Sequence, residues 1–329
     1  MNNLNLRTDP MDMTYIEHQT APRLEQDIHS FFAQVRNTSP DPKFDKAEYS
    51  KDVMDQSAKV LLAYFLEWNF LMFSLRDSDC SFWIMQFKKA YFSTLQEEKL
   101  GTYYFRPTDV YTEQWMIQSI LHKLKSLFNT TGFIEKLRLQ NEQQDKQITR
   151  LEDAYIQVGK TSVEAPDLRF YLSYPEGTEL LQTIDQVVRS FQAFEKKLKY
   201  QPWFQAQVIF SYYHLIRDSY RNCYVIRFFL TFQKALYSTQ IDYSGLLLRL
   251  WQEATYEIGE LLPISNEEFQ ESHTNPFGFG REDIVEFPEP QNAFEDLSDI
   301  AKQVSCVDEK MNKICIVPRG FKIFDGKKW

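Results

Sequence analysis

Apolar residues recur three or four positions apart through most of this chain, which is the spacing of an amphipathic helix. The clearest case is 179–199, where the large aliphatic and aromatic side chains fall on one helical face. The same pattern predicts further helices over 20–36, 45–76, 79–97, 109–129 and 242–262. Few glycines and many large side chains also favour packed helices over a loop-rich β fold. We therefore predict an all-α protein.

The helix predicted over 45–76 changes character along its length. Its first half is amphipathic, but from Val60 onward it is apolar on nearly every side. A helix of that kind is usually covered by other elements on several sides. We therefore expect the second half of this helix to be buried all round.

Two segments, 61–95 and 206–240, resemble each other. Each passes from aromatic-rich apolar residues through Arg-Asp-Ser to a cysteine, and each ends in Phe-x-Lys-Ala-x-x-Ser-Thr. The spacing between these motifs differs by about one helical turn between the two copies. We interpret the resemblance as a duplicated helical unit, which predicts two related helical-bundle halves. In the second copy, two helices would meet near Arg221.

Shifts in composition divide the chain into five parts. These are an N-terminal arm (1–19), a first helical unit (20–132), a helical connector with a linker (133–177), a second helical unit (178–262) and an acidic extension rich in Pro and Phe (263–329). The linker contains one strand-like run at 168–174. The extension is predicted to end in a β-hairpin over 313–324, with its turn at Pro318-Arg-Gly320.

The connector carries a heptad-like seam over 133–158. Its positions include Leu137, Asn141, Ile148, Leu151 and Tyr155, and its surroundings are rich in Gln, Glu, Lys and Arg. One interpretation is a short coiled coil used for self-association or for docking a protein partner. The alternative is a solvated helix that joins two halves and packs only at its ends.

Net charge excludes some classes of partner. A formal charge of −9 argues against a general electrostatic grip on nucleic acid or on an anionic membrane. The N-terminus does not resemble a signal peptide, and the most apolar stretch is too short to span a bilayer. We therefore predict a soluble, cytoplasmic protein or a component of an intracellularly assembled particle.

The four cysteines are scattered and form no Cys-x-x-Cys pair, which predicts neither a disulfide framework nor a zinc site. Patterns for a helical di-iron site, a helical zinc hydrolase and a phosphate-binding P-loop are also missing from the sequence. We therefore expect no cofactor and no bound metal.

A few polar residues lie in apolar surroundings and form a candidate polar core or pocket. The candidates are Glu67, Arg76, Asp77, His214, Arg217 and Asp218. As a functional group they would polarise a site between the two halves, with shifted pKa values. As a structural group the Arg-Asp pairs would fix helix junctions, and the histidine would be an ordinary core residue.

The nine residues from His273 to Arg281 resemble the Fic-type loop, H-P-F-x-[DE]-G-N-G-R, through His273, Gly278, Gly280 and Arg281. Fic proteins are all-helical nucleotide-transfer enzymes, and the resemblance implies a general base at the histidine and phosphate contacts at the Gly/Arg end. The sequence departs from the pattern at the metal-holding acid, which is Phe277, and at the Asn, which is Phe279. The alternative is a surface loop that docks on an apolar partner.

Taken together, the sequence predicts a non-enzymatic assembly or adaptor protein. Its contacts with other proteins would come from the connector, from the acidic stretch with Phe277 and Phe279, and from the terminal hairpin with Phe321. The alternative is an all-α enzyme or small-ligand binder with a pocket between the halves.

Overall fold

The computed structural model describes residues 10–36, 46–75, 78–100, 105–161, 167–175, 177, 182–218, 223–263 and 314–329. The helices are α1 (Pro10–Tyr15), α2 (Ala21–Arg36), α3 (Lys46–Leu62), α4 (Phe65–Ser74), α5 (Phe82–Glu97), α6 (Val110–Phe128), α7 (Thr131–Thr161), α8 (Ile184–Lys199), α9 (Pro202–Gln207) and α10 (Tyr243–Ala254), with a π-helical turn at Ile16–Thr20. The strands are β1 (Asp79–Cys80), β2 (Asp167–Ser173), β3 (Val208–Asp218), β4 (Cys223–Phe232), β5 (Glu260–Pro263), β6 (Ile316–Val317) and β7 (Phe324–Lys328).

The prediction of an all-α fold is wrong, because the chain combines helices with an antiparallel sheet. Five strands form that sheet in the order β5-β2-β4-β3-β7, and β1 and β6 form a separate two-stranded ribbon. The chain divides into two compact units. Unit 1 comprises Met1–Glu142 and Val307–Phe321, and unit 2 comprises Gln143–Cys306 and Lys322–Trp329.

Unit 1 is a helical bundle in which α2 contacts α3, α5 and α6. A cluster of aromatic rings fills one part of its core. Trp83 and Phe32 have ring centroids 5.0 Å apart, and those of Phe128 and Phe133 are 4.9 Å apart. The ribbon lies at the start of α5, where Ser81 N donates to Cys315 O at 2.9 Å. Large aromatic side chains therefore close this end of the bundle.

Unit 2 is built around the sheet, and its first four strands follow a recognisable order. Along the chain, β2, α8, β3, β4, α10 and β5 alternate as βαββαβ, and all neighbouring strands are antiparallel. This is the ferredoxin-like arrangement. Strand β7 adds a fifth strand beside β3. The strand-like run predicted at 168–174 is confirmed as β2.

Helices α8 and α10 pack on one face of the sheet. A capping box between Thr183 and Gln186 starts α8 at its N-terminus, as its sequence pattern requires. Phe194 of α8 contacts both Phe228 of β4 and Trp251 of α10, with ring centroids 5.5 and 5.9 Å apart. The indole Nε1 of Trp251 donates to the backbone oxygen of Ser173 at 2.9 Å. The apolar face that the sequence predicts for 179–199 is therefore the face that covers this sheet.

The second half of α7 packs on the opposite face. Leu151 and Val158 form a buried cluster with Phe210, Tyr212 and Phe229 of the sheet. The helix approaches so closely that a Cβ built on Gly326 of β7 would lie 2.0 Å from Leu151 Cδ1. A glycine at that position lets the helix rest on the backbone of the edge strand.

The interpretation of 61–95 and 206–240 as a structural repeat is wrong. The first copy forms α4, β1 and α5, whereas the second forms β3 and β4 followed by a turn. Every residue of β4 is buried, so its apolar run shows no alternation between the faces. A strand covered on both sides cannot be told from a buried helix by periodicity alone. The sequence similarity between the two segments therefore does not reflect a common structure.

The prediction of a C-terminal β-hairpin is also wrong. A turn does form at Pro318, where Phe321 N donates to Pro318 O at 3.0 Å, and Gly320 has a φ of 75°. The two strands beside this turn then separate, because β6 pairs with β1 and β7 pairs with β3. A lone hairpin is marginal in water. Here β7 adds a strand to the sheet of unit 2, and β6 forms a short ribbon with β1 at the start of α5 in unit 1.

Helix α4 differs from the expectation that it would be buried all round. Trp68, Leu71 and Met72 are fully buried, but Leu66 is 64% exposed and Phe73 is 42% exposed.

Within the part of the chain that the structure describes, no helix is both long enough and apolar enough to cross a membrane.

We predict that Gly326→Ala lowers the free energy of unfolding by about 1–3 kcal/mol, because the added methyl group overpacks the contact with Leu151. Leu151→Ala alone should cost about 2–5 kcal/mol. The double variant should cost less than the sum, because the smaller side chain makes room for the methyl group. Urea unfolding of the three variants measures this coupling.

Gly132→Ala is the matched control, because nothing lies within 4 Å of a Cβ built on this helical glycine. It should leave stability unchanged or raise it by up to about 1 kcal/mol. Strict additivity between the Gly326 and Leu151 changes would contradict the close approach of α7 to β7.

Candidate functional site

A row of polar side chains crosses the sheet of unit 2 on the same face as α7. Arg227 of β4 is the register partner of Tyr171 on β2 and of His214 on β3, and Phe324 of β7 follows His214. Residues in register on neighbouring strands project from the same face of a sheet. The backbone pairing thus places a tyrosine, an arginine and a histidine side by side.

Arg227 is held between its neighbours. It is 8% exposed, and its Nη2 donates to the Tyr171 hydroxyl at 3.1 Å. Its guanidinium carbon lies 5.6 Å from the centroid of the Tyr171 ring. A delocalised guanidinium tolerates such an environment better than an ammonium group does, because it is less strongly hydrated.

His214 is a neutral core histidine. Burial and, to a smaller extent, the positive charge of Arg227 lower its pKa from 6.5 to about 3. Its ring meets that of Phe324 edge to face, with centroids 6.1 Å apart. Its Nδ1 has no hydrogen-bond partner among the described residues. A histidine with such a low pKa is uncharged at physiological pH, and its ring fills space in the core.

The other residues predicted for a polar site do not join this row. Arg217 is buried on β3 opposite Tyr224, and it lies three residues from His214, so the strand alternation turns it to the other face. The backbone of Asp218 pairs with Cys223. Arg76 and Asp77 lie outside the described residues.

Glu67 has a local structural contact in unit 1. It is half-buried on α4, and its Oε2 accepts a hydrogen bond from Thr20 Oγ1 at 3.2 Å. Two residues later, Asn69 donates to Phe105 O at 2.9 Å and accepts from the Tyr91 hydroxyl at 2.7 Å. These polar groups connect elements of the bundle, as satisfied buried side chains do.

The predicted interaction residues of the connector divide between two environments. Ile148 and Leu151 are buried, and Tyr155 contacts the rings of Phe210 and Phe229 at 5.3 and 5.8 Å. Leu137 is half-buried and Asn141 is exposed. The seam after 143 therefore packs on the sheet of its own unit.

Among the remaining predicted contact residues, only Phe321 lies in the described part of the chain, where it is half-buried. Phe277, Phe279 and the whole Fic-like stretch from His273 to Arg281 lie outside it.

Two structural polar residues were missed from the sequence. Lys88 is buried on α5, where its Nζ donates to Leu75 O and, at 2.9 Å, to Ser78 O, so it holds the chain just after α4. Arg227 is the one charged residue within the run Cys223–Phe232. The sequence signal for Arg227 was a single charged residue within an apolar run. If that run had been predicted as a strand paired with the preceding one, Arg227 would have been expected beside His214.

The exposed apolar face of α4 is the strongest candidate for a functional surface. It consists of Leu66 and Phe73, which are exposed, and of Phe70, which is half-buried, and we call these three residues the α4 stripe. Their spacing of four and three residues places them on one face of the helix, and the rings of Phe70 and Phe73 lie 6.4 Å apart. Ser74, at the end of the helix, donates to Met13 Sδ at 3.4 Å, so α1 borders the last turn.

The described residues contain no group of three or more His, Cys, Asp or Glu side chains arranged to hold a metal ion. Cys80, Cys223 and Cys315 form no disulfide bond among the described residues, and burial raises the pKa of Cys80 to about 11. A thiol in that state is a poor nucleophile at neutral pH.

No family model, no curated protein and no solved structure matches this chain.

We predict that His214 makes the folded protein less stable in mild acid. The unfolded chain binds a proton at this residue below pH 6.5, whereas the folded chain does so only near pH 3. Stability from this residue is therefore complete above pH 6.5 and is lost as pH falls, by about 2 kcal/mol between pH 7.5 and pH 5. His214→Gln should remove this part of the pH dependence in urea unfolding.

His122→Gln is the control, because His122 is exposed on α6 and meets solvent in both states. It should keep the pH dependence of the wild type. An identical pH dependence for the wild type and His214→Gln would show that His214 is not held neutral by burial.

Proposed function

We propose that this chain is a non-enzymatic adaptor or assembly protein, and that the α4 stripe is a surface through which it binds another protein. The observation that carries the proposal is the exposure of Leu66 and Phe73, at 64% and 42%, on a helix whose other face is fully buried. Exposed apolar side chains that are grouped on one face of a helix are typical of a protein–protein contact.

The dimensions of the stripe fit a helical recognition mode. From Leu66 to Phe73 the helix rises about 10 Å, which presents three anchors over two turns. Anchors at positions i, i+4 and i+7 are those that an amphipathic helix inserts into an apolar groove. The partner expected here is therefore a protein with such a groove.

Two of the residues predicted for a polar core or pocket support the same proposal. His214 is buried and neutral beside Arg227, and Glu67 accepts a hydrogen bond from Thr20. Each of them has a role in holding its own unit together. The proposal also retains the sequence-based prediction of a cytoplasmic location or of a place in an intracellularly assembled particle.

The connector makes a smaller contribution to this proposal than its heptad pattern suggested. Leu151 and Val158 are covered by the sheet of unit 2, so these positions are used within the chain. Contacts with partners through α7 would fall on its exposed residues, such as Asn141.

The double variant Leu66→Glu/Phe73→Glu tests the α4 stripe. Both side chains are exposed, so we expect a change of less than about 1 kcal/mol in the free energy of unfolding. The tagged full chain should elute from extracts of its own cells in a complex larger than the 39.2 kDa chain, and the double variant should elute alone. Light scattering of the purified wild type shows whether the partner is a second copy.

Leu236→Glu is the matched control, because Leu236 is 47% exposed but lies in the turn after β4. It should leave the complex intact. The proposal would be wrong if the double variant stayed in the same complex, or if the wild-type chain eluted alone.

A further inference from the structure

A cavity in unit 1 has features of a ligand site that are independent of the α4 stripe. Its volume is about 120 Å³, and it lies between α2, α3 and α6. Two helices supply its polar side chains, which are Asp27, Ser30, Gln34, Gln56 and Ser57.

The remaining walls of the cavity are apolar. Phe31, Leu61 and Leu124 are buried at its floor, whereas Gln56 and Val60 are exposed to solvent and mark its mouth. An apolar floor with a few polar groups is the usual composition of a small-molecule site. A volume of about 120 Å³ admits only a small molecule. Its ligand would therefore have only a handful of non-hydrogen atoms.

Asp27 gives the cavity a negative charge. Its Oδ2 accepts a hydrogen bond from the Tyr64 hydroxyl at 2.6 Å, and burial raises the pKa of the carboxyl group. The guanidinium of Arg23 lies 4.0 Å from the centroid of the Tyr64 ring. The positive charge of Arg23 partly opposes the effect of burial on this pKa, and an ammonium group beside the carboxylate would act in the same direction as Arg23.

Gln34 supplies a second acceptor. Its Oε1 is buried and has no hydrogen-bond partner among the described residues. A buried acceptor without a partner costs free energy that a donor can recover. Asp27 and Gln34 lie seven residues apart on one face of α2, so about 10 Å of helix separates their backbones.

We propose that this cavity binds a short aliphatic amine, with an ammonium group at Asp27 and a second N–H donor directed toward Gln34. The aliphatic chain between the two polar ends would lie on the floor formed by Phe31, Leu61 and Leu124. A diamine with four methylene groups has the two donors, the apolar middle and the small size that the cavity requires.

The experiment titrates the full-length chain with 1,4-diaminobutane, and compares butan-1-amine and butyrate, which have similar lengths. Methyl NMR signals of Leu61, Leu121 and Leu124 report binding at the cavity itself, because all three line it. The diamine should bind at least about fivefold more tightly than butan-1-amine, which lacks the second donor. Butyrate should leave these signals unchanged.

Two variants assign the ends of the ligand. Asp27→Asn should weaken diamine binding by about tenfold or more, since it removes a charged hydrogen bond. Gln34→Leu should reduce the affinity for the diamine to that for butan-1-amine, and it should fold at least as stably as the wild type because it removes an unpaired acceptor. Asp52→Asn is the control for charge, since Asp52 is exposed on α3 and does not line the cavity.

Equal binding of butyrate and the diamine would overturn the proposal. An unchanged affinity of Asp27→Asn for the diamine would also overturn it. So would methyl signals that respond to none of the three probes, because the cavity would then hold only water. None of these outcomes bears on the α4 stripe, whose test measures complex formation.

Discussion

The burial of strand β4 on both faces is the constraint on which unit 2 depends. All ten residues of Cys223–Phe232 are buried, and the strand pairs with β2 on one side and with β3 on the other. Aromatic side chains of α8 cover one face, and the second half of α7 covers part of the other. Each fully buried Phe or Ile contributes about 1.5–3 kcal/mol, so this strand alone gathers much of the apolar burial in the unit.

The same constraint explains why polar groups in this core have structural roles. A charge placed between two covered faces must be hydrogen-bonded, and Arg227 finds the Tyr171 hydroxyl. Burial and, to a smaller extent, the charge of Arg227 lower the pKa of His214, which favours the neutral histidine. In unit 1, Lys88 and Asn69 likewise bind backbone oxygens. Within the part of the chain that the structure describes, the two surfaces for which we propose a function are the apolar face of α4 and the small cavity beside α2.

The periodicity of apolar residues predicted secondary structure reliably where an element has one buried face and one solvent-exposed face. It located α8, whose large apolar side chains are all buried, and the strand-like run that became β2. It failed for β3 and β4, because two covered faces remove the alternation that distinguishes a strand from a buried helix. The Arg-Asp-Ser and Phe-x-Lys-Ala resemblance then reinforced the error, since short shared motifs were read as shared structure. The C-terminal strands show a related limit. The hairpin predicted over 313–324 includes β6 but only the first residue of β7, and the sequence did not indicate their distant partners β1 and β3.

The sequence identified His214 as a polar residue in apolar surroundings. It did not indicate that Tyr171 and Arg227 lie beside it, because only the register of the strands brings these three residues together. The exposure of Leu66 and Phe73 could not be foreseen either, because composition does not show which sides of an apolar helix are covered. The cavity between α2, α3 and α6 depends on side-chain packing and leaves no pattern in the sequence.

Amide hydrogen exchange across 223–232 tests the proposed burial of β4 most directly. A central strand with hydrogen bonds on both sides opens only when its unit unfolds, so its amides should be among the slowest in the chain. The first turn of α6, where Val110 and Tyr111 are 56% and 82% exposed, should exchange much faster. Exchange in β4 as fast as in that turn, or a helical pattern of short amide–amide distances across 223–232, would contradict a sheet built around this strand.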